Sequence, residues 1–220
     1  MLNQVFFDAL KNRDAKISKV MDSNFATILA EASSRWVPYE PSPEKCESAG
    51  VDSSWNKRAF QGLYLYAIDA VAVTSANKIL AAEWDHDIAG SARAEFLESR
   101  AMAMEASVAQ KAAGRADILC VDGSLVSRLQ KSAADEASET VKKYGSSIFV
   151  SKSSESRLQF GSIASRAGDI YYYGHAGKSA GFSIAVETQF RHLPLFEVYV
   201  RLRDHTPIMK IEILGEPSQP

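Results

Sequence analysis

Four consecutive apolar residues, Ile118-Leu119-Cys120-Val121, stand between two helix-length stretches and end at Asp122-Gly123-Ser124. So short an apolar run, bounded by turn residues, fits a strand covered on both faces. A covered strand with a helix on either side in sequence belongs to an α/β sheet. The helix before it runs from an N-cap at Ser91 to a C′ glycine at Gly114, with no Pro or Gly between them. The helix after it spans Leu125 to Tyr144 and is stopped by Gly145. Ile148-Phe149-Val150 then reads as another short buried strand, ending at Ser151-Lys152.

The rest of the chain fits the same class. Ala49 to Ser54 reads as a short strand that ends in an acid, Asp52. Phe60 to Thr74 is rich in Tyr, Val and Ile and reads as a strand, although Ala67 to Ala72 is also compatible with a helix. A turn at Ser75-Ala76-Asn77 and a return over Lys78 to Trp84 make a hairpin. The segment 153–181 is Ser-, Gly- and Tyr-rich and reads mostly as loop, and three strands follow at Phe182–Phe190, Phe196–Arg203 and Ile208–Leu214. Ahead of all this, residues 1–35 have helical periodicity, and three prolines at 38, 41 and 43 break the pattern. The division expected is an N-terminal helical segment with its Pro-rich linker, 1–43, and an α/β domain, 44–220. The apolar side of the first helix (Val5, Phe6, Leu10) is a candidate docking element.

Composition removes several function classes. The formal charge of −2 does not advertise a polyanion partner, but local patches decide that question. No stretch approaches the roughly 20 apolar residues of a membrane helix. Asp8, Lys11, Arg13 and Asp14 interrupt any leader-like apolar region, so the expected location is the cytoplasm, with no membrane partner. Cys46 and Cys120 form no CxxC, and the histidines at 86, 175, 192 and 205 have no zinc spacing. Gly174 to Ser179 misses the phosphate-loop spacing, and no GxSxG surrounds Ser53, Ser124 or Ser183.

What remains is a set of acids. Asp52 and Asp122 each follow a buried strand, and parallel strands would bring both to one edge of a sheet. At 100° per residue, Ala94, Leu97, Ala101, Val108 and Ala112 lie within about 80° of Glu105 on the intervening helix. Glu105, with Glu98 near it, therefore points toward the sheet. A buried carboxylate is costly unless it is paired or holds a metal. Converging carboxylates favour a divalent cation, and hard oxygens suit Mg²⁺ or Mn²⁺. Such ions promote phosphodiester hydrolysis. Plainer readings stay open: Asp122 capping the following helix, Asp52 opening a turn, Glu105 paired with a basic residue.

At these residues the sequence resembles the NurA nucleases, the partners of the HerA ATPase in DNA end processing. Val51-Asp52-Ser53-Ser54 is similar to their opening D-G-S motif, with Ser53 in place of the glycine. Arg100 to Glu105 resembles the helix that delivers a catalytic glutamate, and Asp117 to Leu125 is the closest motif. Ile148 to Ser154 resembles a following strand with its lysine, and Tyr199-Val200-Arg201-Leu202 with Ile208 to Glu212 resembles a late hairpin. The resemblance implies a ribonuclease H-like fold: a mixed β-sheet flanked by helices. It implies Asp52, Glu105 and Asp122 as catalytic and metal-binding residues with Mn²⁺ or Mg²⁺, Lys152 and Arg201 on DNA, and Tyr199 as an accessory. The implied partners are DNA, a HerA-like hexameric ATPase and a second copy of the chain. A histidine motif that family members carry further on is not among these 220 residues. The alternative expectation is an inactive adaptor that binds the ATPase or DNA without cutting.

Overall fold

The computed structural model describes residues 2–20, 24–40, 42, 44–131, 142–145, 147–190 and 193–215. In chain order the elements are α1 (Leu2–Lys11), α2 (Arg13–Val20), α3 (Phe25–Ser34), β1 (Trp36–Pro38), β2 (Ser48–Phe60), β3 (Leu63–Thr74), β4 (Ile79–Ala89), α4 (Ala94–Ala112) and β5 (Ile118–Asp122). There follow α5 (Leu125–Lys131), β6 (Ile148–Ser151), α6 (Asp169–Ala176), β7 (Gly181–Ser183), β8 (Val186–Phe190), β9 (Leu193–Arg201) and β10 (Met209–Leu214). No described helix is long and apolar enough to cross a membrane.

The chain forms two compact units. One comprises Met1–Pro41, Ser153–Val186 and Val198–Lys210; the other comprises Ser42–Lys152, Glu187–Glu197 and Ile211–Pro220. In the first unit the strand order is β1–β7–β9, all antiparallel. Its core gathers Ile28, Phe160, Tyr172, Tyr173, Tyr199 and Ile208. The N-terminal helical segment thus shares a unit with residues far along the chain.

In the second unit the order is β9–β10–β6–β5–β2–β3–β4, with β8 beside β9. This is the expected mixed sheet. β2 and β6 both flank β5 in parallel, while β2, β3 and β4 form an antiparallel meander. α4 packs on β2, β3 and β4. It buries Leu97, Ala101, Glu105, Val108 and Ala112, the face expected from its periodicity. The small alanines let the helix approach the sheet closely, and Val51, Val121 and Phe149 complete the core. Fully burying such valine and phenylalanine side chains contributes about 1.5–3 kcal/mol each.

Several sequence expectations change. β2 is 13 residues long, so Asp52 lies within the strand and not at its end. Beyond Asp52 it pairs with β3 down to Phe60↔Leu63, where Gln61 and Gly62 turn with φ of 47° and 81°. Positive φ at both central residues is the hairpin turn whose twist matches the strands. The cap of α4 is Arg93, not Ser91. β5 is only partly covered, with Val121 its one fully buried residue. The supposed loop 153–181 contains α6, whose Asp169 carboxylate accepts the amides of Gln159 at 2.8 Å and Phe160 at 3.2 Å. Trp36–Pro38 is a strand and not only linker, with proline at its end. Of the helix expected over Leu125 to Tyr144, residues 132–141 lie outside the described residues.

Candidate active site

The site begins where a strand stops. β2 and β5 pair in parallel from Ser48↔Ile118 to Val51↔Val121, so Asp52 and Asp122 come next on neighbouring strands. Adjacent strands lie about 4.8 Å apart, and equivalent positions point to the same face. β5 ends at Asp122 while β2 continues, leaving a notch beside Asp52 and Ser53. That notch is a pocket lined by Asp52, Ser53, Trp55 and Ser124, with Glu98 and Glu105 from α4 and Arg128 from α5.

Asp122 is not the cap of α5. The Ser124 hydroxyl accepts the Ser127 amide at 3.3 Å, and the Leu125 amide donates to Glu212 at 2.5 Å. Glu212 is a buried carboxylate on β10 that also accepts the Ser124 hydroxyl at 2.9 Å. A carboxylate beside the first turn of a helix satisfies free amides and matches the dipole. The Asp122 side chain is left 51% exposed, with Lys152 Nζ 3.7 Å from its Oδ2.

Gly123 makes the turn possible. Its φ is +100°, and its amide donates to the Val150 carbonyl at 2.8 Å. A Cβ there would stand 3.2 Å from Arg128 Nη2. Gly123→Ala is expected to lose about 1–2 kcal/mol of stability through backbone strain and displaced guanidinium. Urea unfolding of the two proteins measures this, and an unchanged midpoint would contradict it.

Glu105 is 1% exposed. Its Oε1 accepts Arg128 Nη1 at 2.5 Å and the Tyr144 hydroxyl at 3.1 Å, while Oε2 accepts the Ser53 hydroxyl at 2.8 Å. Burial pushes its pKa above the ordinary carboxylate value, with Arg128, Ser53 and Tyr144 pulling it back and the charge of Asp52 adding to the rise. Burial likewise raises Tyr144, which keeps the phenol a donor. Arg128 also donates to the main-chain carbonyl of Asp122, tying α5 to the end of β5.

The remaining sequence candidates separate. Lys152 is exposed and lies beside Asp122. Arg201 is buried in the first unit, where its guanidinium donates to the carbonyls of Thr206 at 2.9 Å and of Gly177, and sits 5.7 Å from the Trp36 ring. Its hydrogens are committed to the fold, which gives it a structural place in this unit. Tyr199 is buried in the same unit, stacked on Tyr173 with ring centroids 5.1 Å apart, so it is a core residue. Arg128, Tyr144 and Glu212 were missed as site residues; only the Glu212 position falls in a motif that sequence singled out.

The donors fit a hard divalent cation in kind: carboxylates with serine hydroxyls nearby. The buried carboxylate already draws a positive charge, the Arg128 guanidinium, as a stand-in. In this arrangement, however, no three His, Cys, Asp or Glu side chains among the described residues lie together closely enough to hold a metal ion.

No family model matches the chain, and no curated protein matches it in sequence. Solved structures do. The NurA nuclease from Sulfolobus solfataricus superimposes on 100% of this chain and 83% of its own, with a TM-score of 0.79 at 17% identity. A structure of NurA with manganese matches 96% of this chain and 87% of its own, with a TM-score of 0.63 at 10% identity. NurA bound to dAMP and manganese matches 98% and 86%, with a TM-score of 0.56 at 11% identity. Over its whole length, then, this chain has the fold of the NurA nucleases.

Proposed function

We propose that the chain is a metal-dependent DNA nuclease that hydrolyses phosphodiester bonds. A fold alone does not assign a reaction; the site must. The observation that carries this reading is the parallel register that makes Asp52 and Asp122 neighbours, with Glu105 in the adjoining pocket, on a NurA-type frame. The neighbours solved with manganese and with dAMP support the same chemistry. Asp52, Glu105 and Asp122 are the residues that would hold Mn²⁺ or Mg²⁺. Such an ion supplies a more acidic water and neutralises charge on the reacting phosphate. The exposed acids Asp52 and Asp122 fix where positive charge is tolerated beside the strand end. Lys152, exposed next to Asp122, offers its ammonium to a phosphate oxygen. Following the sequence resemblance, we place the activity at DNA ends in double-strand break repair, as an exonuclease with endonuclease capacity. The expected assembly is a homodimer with a HerA-like ATPase.

The test is digestion of end-labelled single- and double-stranded DNA. Fragments are expected with Mn²⁺ or Mg²⁺ and none with EDTA. A second reading, an adaptor that binds without cutting, is favoured by one observation: the Glu105 oxygens are already held by Arg128, Ser53 and Tyr144. An adaptor without a site gains no thermal stability from Mn²⁺, whereas a nuclease does.

A further inference from the structure

The cation beside Glu105 belongs to the protein. Arg128 is 16% exposed and meets a carboxylate that is 1% exposed. Its Nη1 is on the Glu105 carboxylate and its Nη2 on the main-chain carbonyl of Asp122, so one guanidinium ties the buried acid to the backbone at the end of β5. Gly123 leaves it room: a Cβ there would stand 3.2 Å from Nη2, tighter than an ordinary contact. Breaking such a pair by removing one partner leaves a buried charge uncompensated. A divalent ion offers the same compensation, but a guanidinium and a dication cannot share one small pocket without strong repulsion.

We propose that Arg128 is the resident counter-cation of Glu105 and that a divalent ion enters the site only by displacing it. Arg128 is then a positioning residue that sets metal occupancy through Glu105. The exchange accounts for two facts together: the three acids carry the right chemistry, yet they do not close around an ion while the guanidinium is in place. It rests on the metal-dependent reading of the site.

The experiment measures Mn²⁺ binding by calorimetry, and thermal unfolding with and without Mn²⁺, for the full chain and for Arg128→Gln and Arg128→Lys. Without metal, Arg128→Gln is expected to melt lower than the wild type. Its affinity for Mn²⁺ is expected to be tighter by roughly tenfold or more, and its melting temperature is expected to gain more from Mn²⁺. Arg128→Lys, which keeps a cation, is expected to lie nearer the wild type. A purely structural ion pair predicts a different pattern: equal destabilisation with and without Mn²⁺, and unchanged affinity. That pattern overturns the proposal. Should Arg128→Gln fail to fold, the Arg128 Nε–H resonance of the wild type, assigned from the Lys variant, is titrated with Mg²⁺. A shift supports displacement and a fixed resonance overturns it. DNA digestion separates the two readings. Wild-type cutting without tighter binding in Arg128→Gln keeps the nuclease and ends the exchange. Tighter binding by Arg128→Gln, beside a wild type that binds Mn²⁺ and does not cut, keeps the exchange and ends the nuclease.

Discussion

Asp122→Ala is expected to abolish metal-dependent DNA cleavage and to leave the chain folded. The two halves of that statement come from different parts of the structure. The Asp122 carboxylate is half exposed, and its distance to Lys152 is 3.7 Å. An ion pair this exposed is worth between nothing and about 1 kcal/mol. The turn around it is held by other groups: the Gly123 amide on Val150, the Ser124 hydroxyl on Ser127, and Glu212 on Leu125. The melting temperature should therefore move by only a few degrees.

Activity should respond quite differently. A ligand that helps place a metal beside the phosphate supports several kcal/mol of transition-state stabilisation. Losing about 4 kcal/mol slows a reaction roughly 10³-fold. Asp122→Asn keeps the shape, loses the charge, and should be equally inactive. The readout is end-labelled DNA with Mn²⁺, beside thermal unfolding of the same samples. A variant that cuts at half the wild-type rate removes Asp122 from the site. A variant that fails to fold instead gives Asp122 a structural part that the hydrogen bonds around it do not predict.

Why these acids could be found from sequence, and their surroundings could not, follows from the range of each interaction. Glu105 was legible because α4 is long and regular: an acid among Leu97, Ala101 and Val108 at helical spacing must face the sheet. Asp52 and Asp122 were legible because short apolar runs precede them. Their adjacency was only conditional, since it depends on β2 and β5 being parallel. The length of β2 was hidden by Asn56, Lys57 and Arg58, polar residues on an antiparallel extension beyond the covered part of the sheet. α6 was hidden because Tyr171-Tyr172-Tyr173 is poor helix sequence; packing of Tyr172 and Tyr173 in a core overrides that propensity. Arg128 was invisible because its partner Glu105 is 23 residues away on another helix. No local pattern announces a pair that only tertiary folding creates.

Tyr199 tests the boundary between site and scaffold, and its removal is expected to give the largest stability loss. The residue lies in the Y-V-R-L hairpin that sequence resemblance made an accessory to catalysis. In the structure its ring is wholly buried and stacked on Tyr173 at 27°, among Phe160, Tyr172 and Ile208. Its main-chain amide donates to the buried Ser183 hydroxyl at 2.9 Å, which locks β9 beside β7. Truncating a buried aromatic to alanine removes its transfer energy and leaves a cavity, and typically costs about 3–5 kcal/mol, that is, about a fifth or more of a domain's stability. Tyr199→Ala should therefore unfold at clearly lower urea. Tyr199→Phe keeps the ring and its stacking, so it should lose only what a hydroxyl contributes, about 0.5–1.5 kcal/mol, and cut DNA at the wild-type rate. The Phe variant is the decisive one. If it melts with the wild type but has lost cleavage, the phenol takes part in the reaction and the buried placement does not describe the working state. If it keeps both, the late hairpin acts through packing, and the chemistry is confined to the acids at the end of β5 and the pocket beside them.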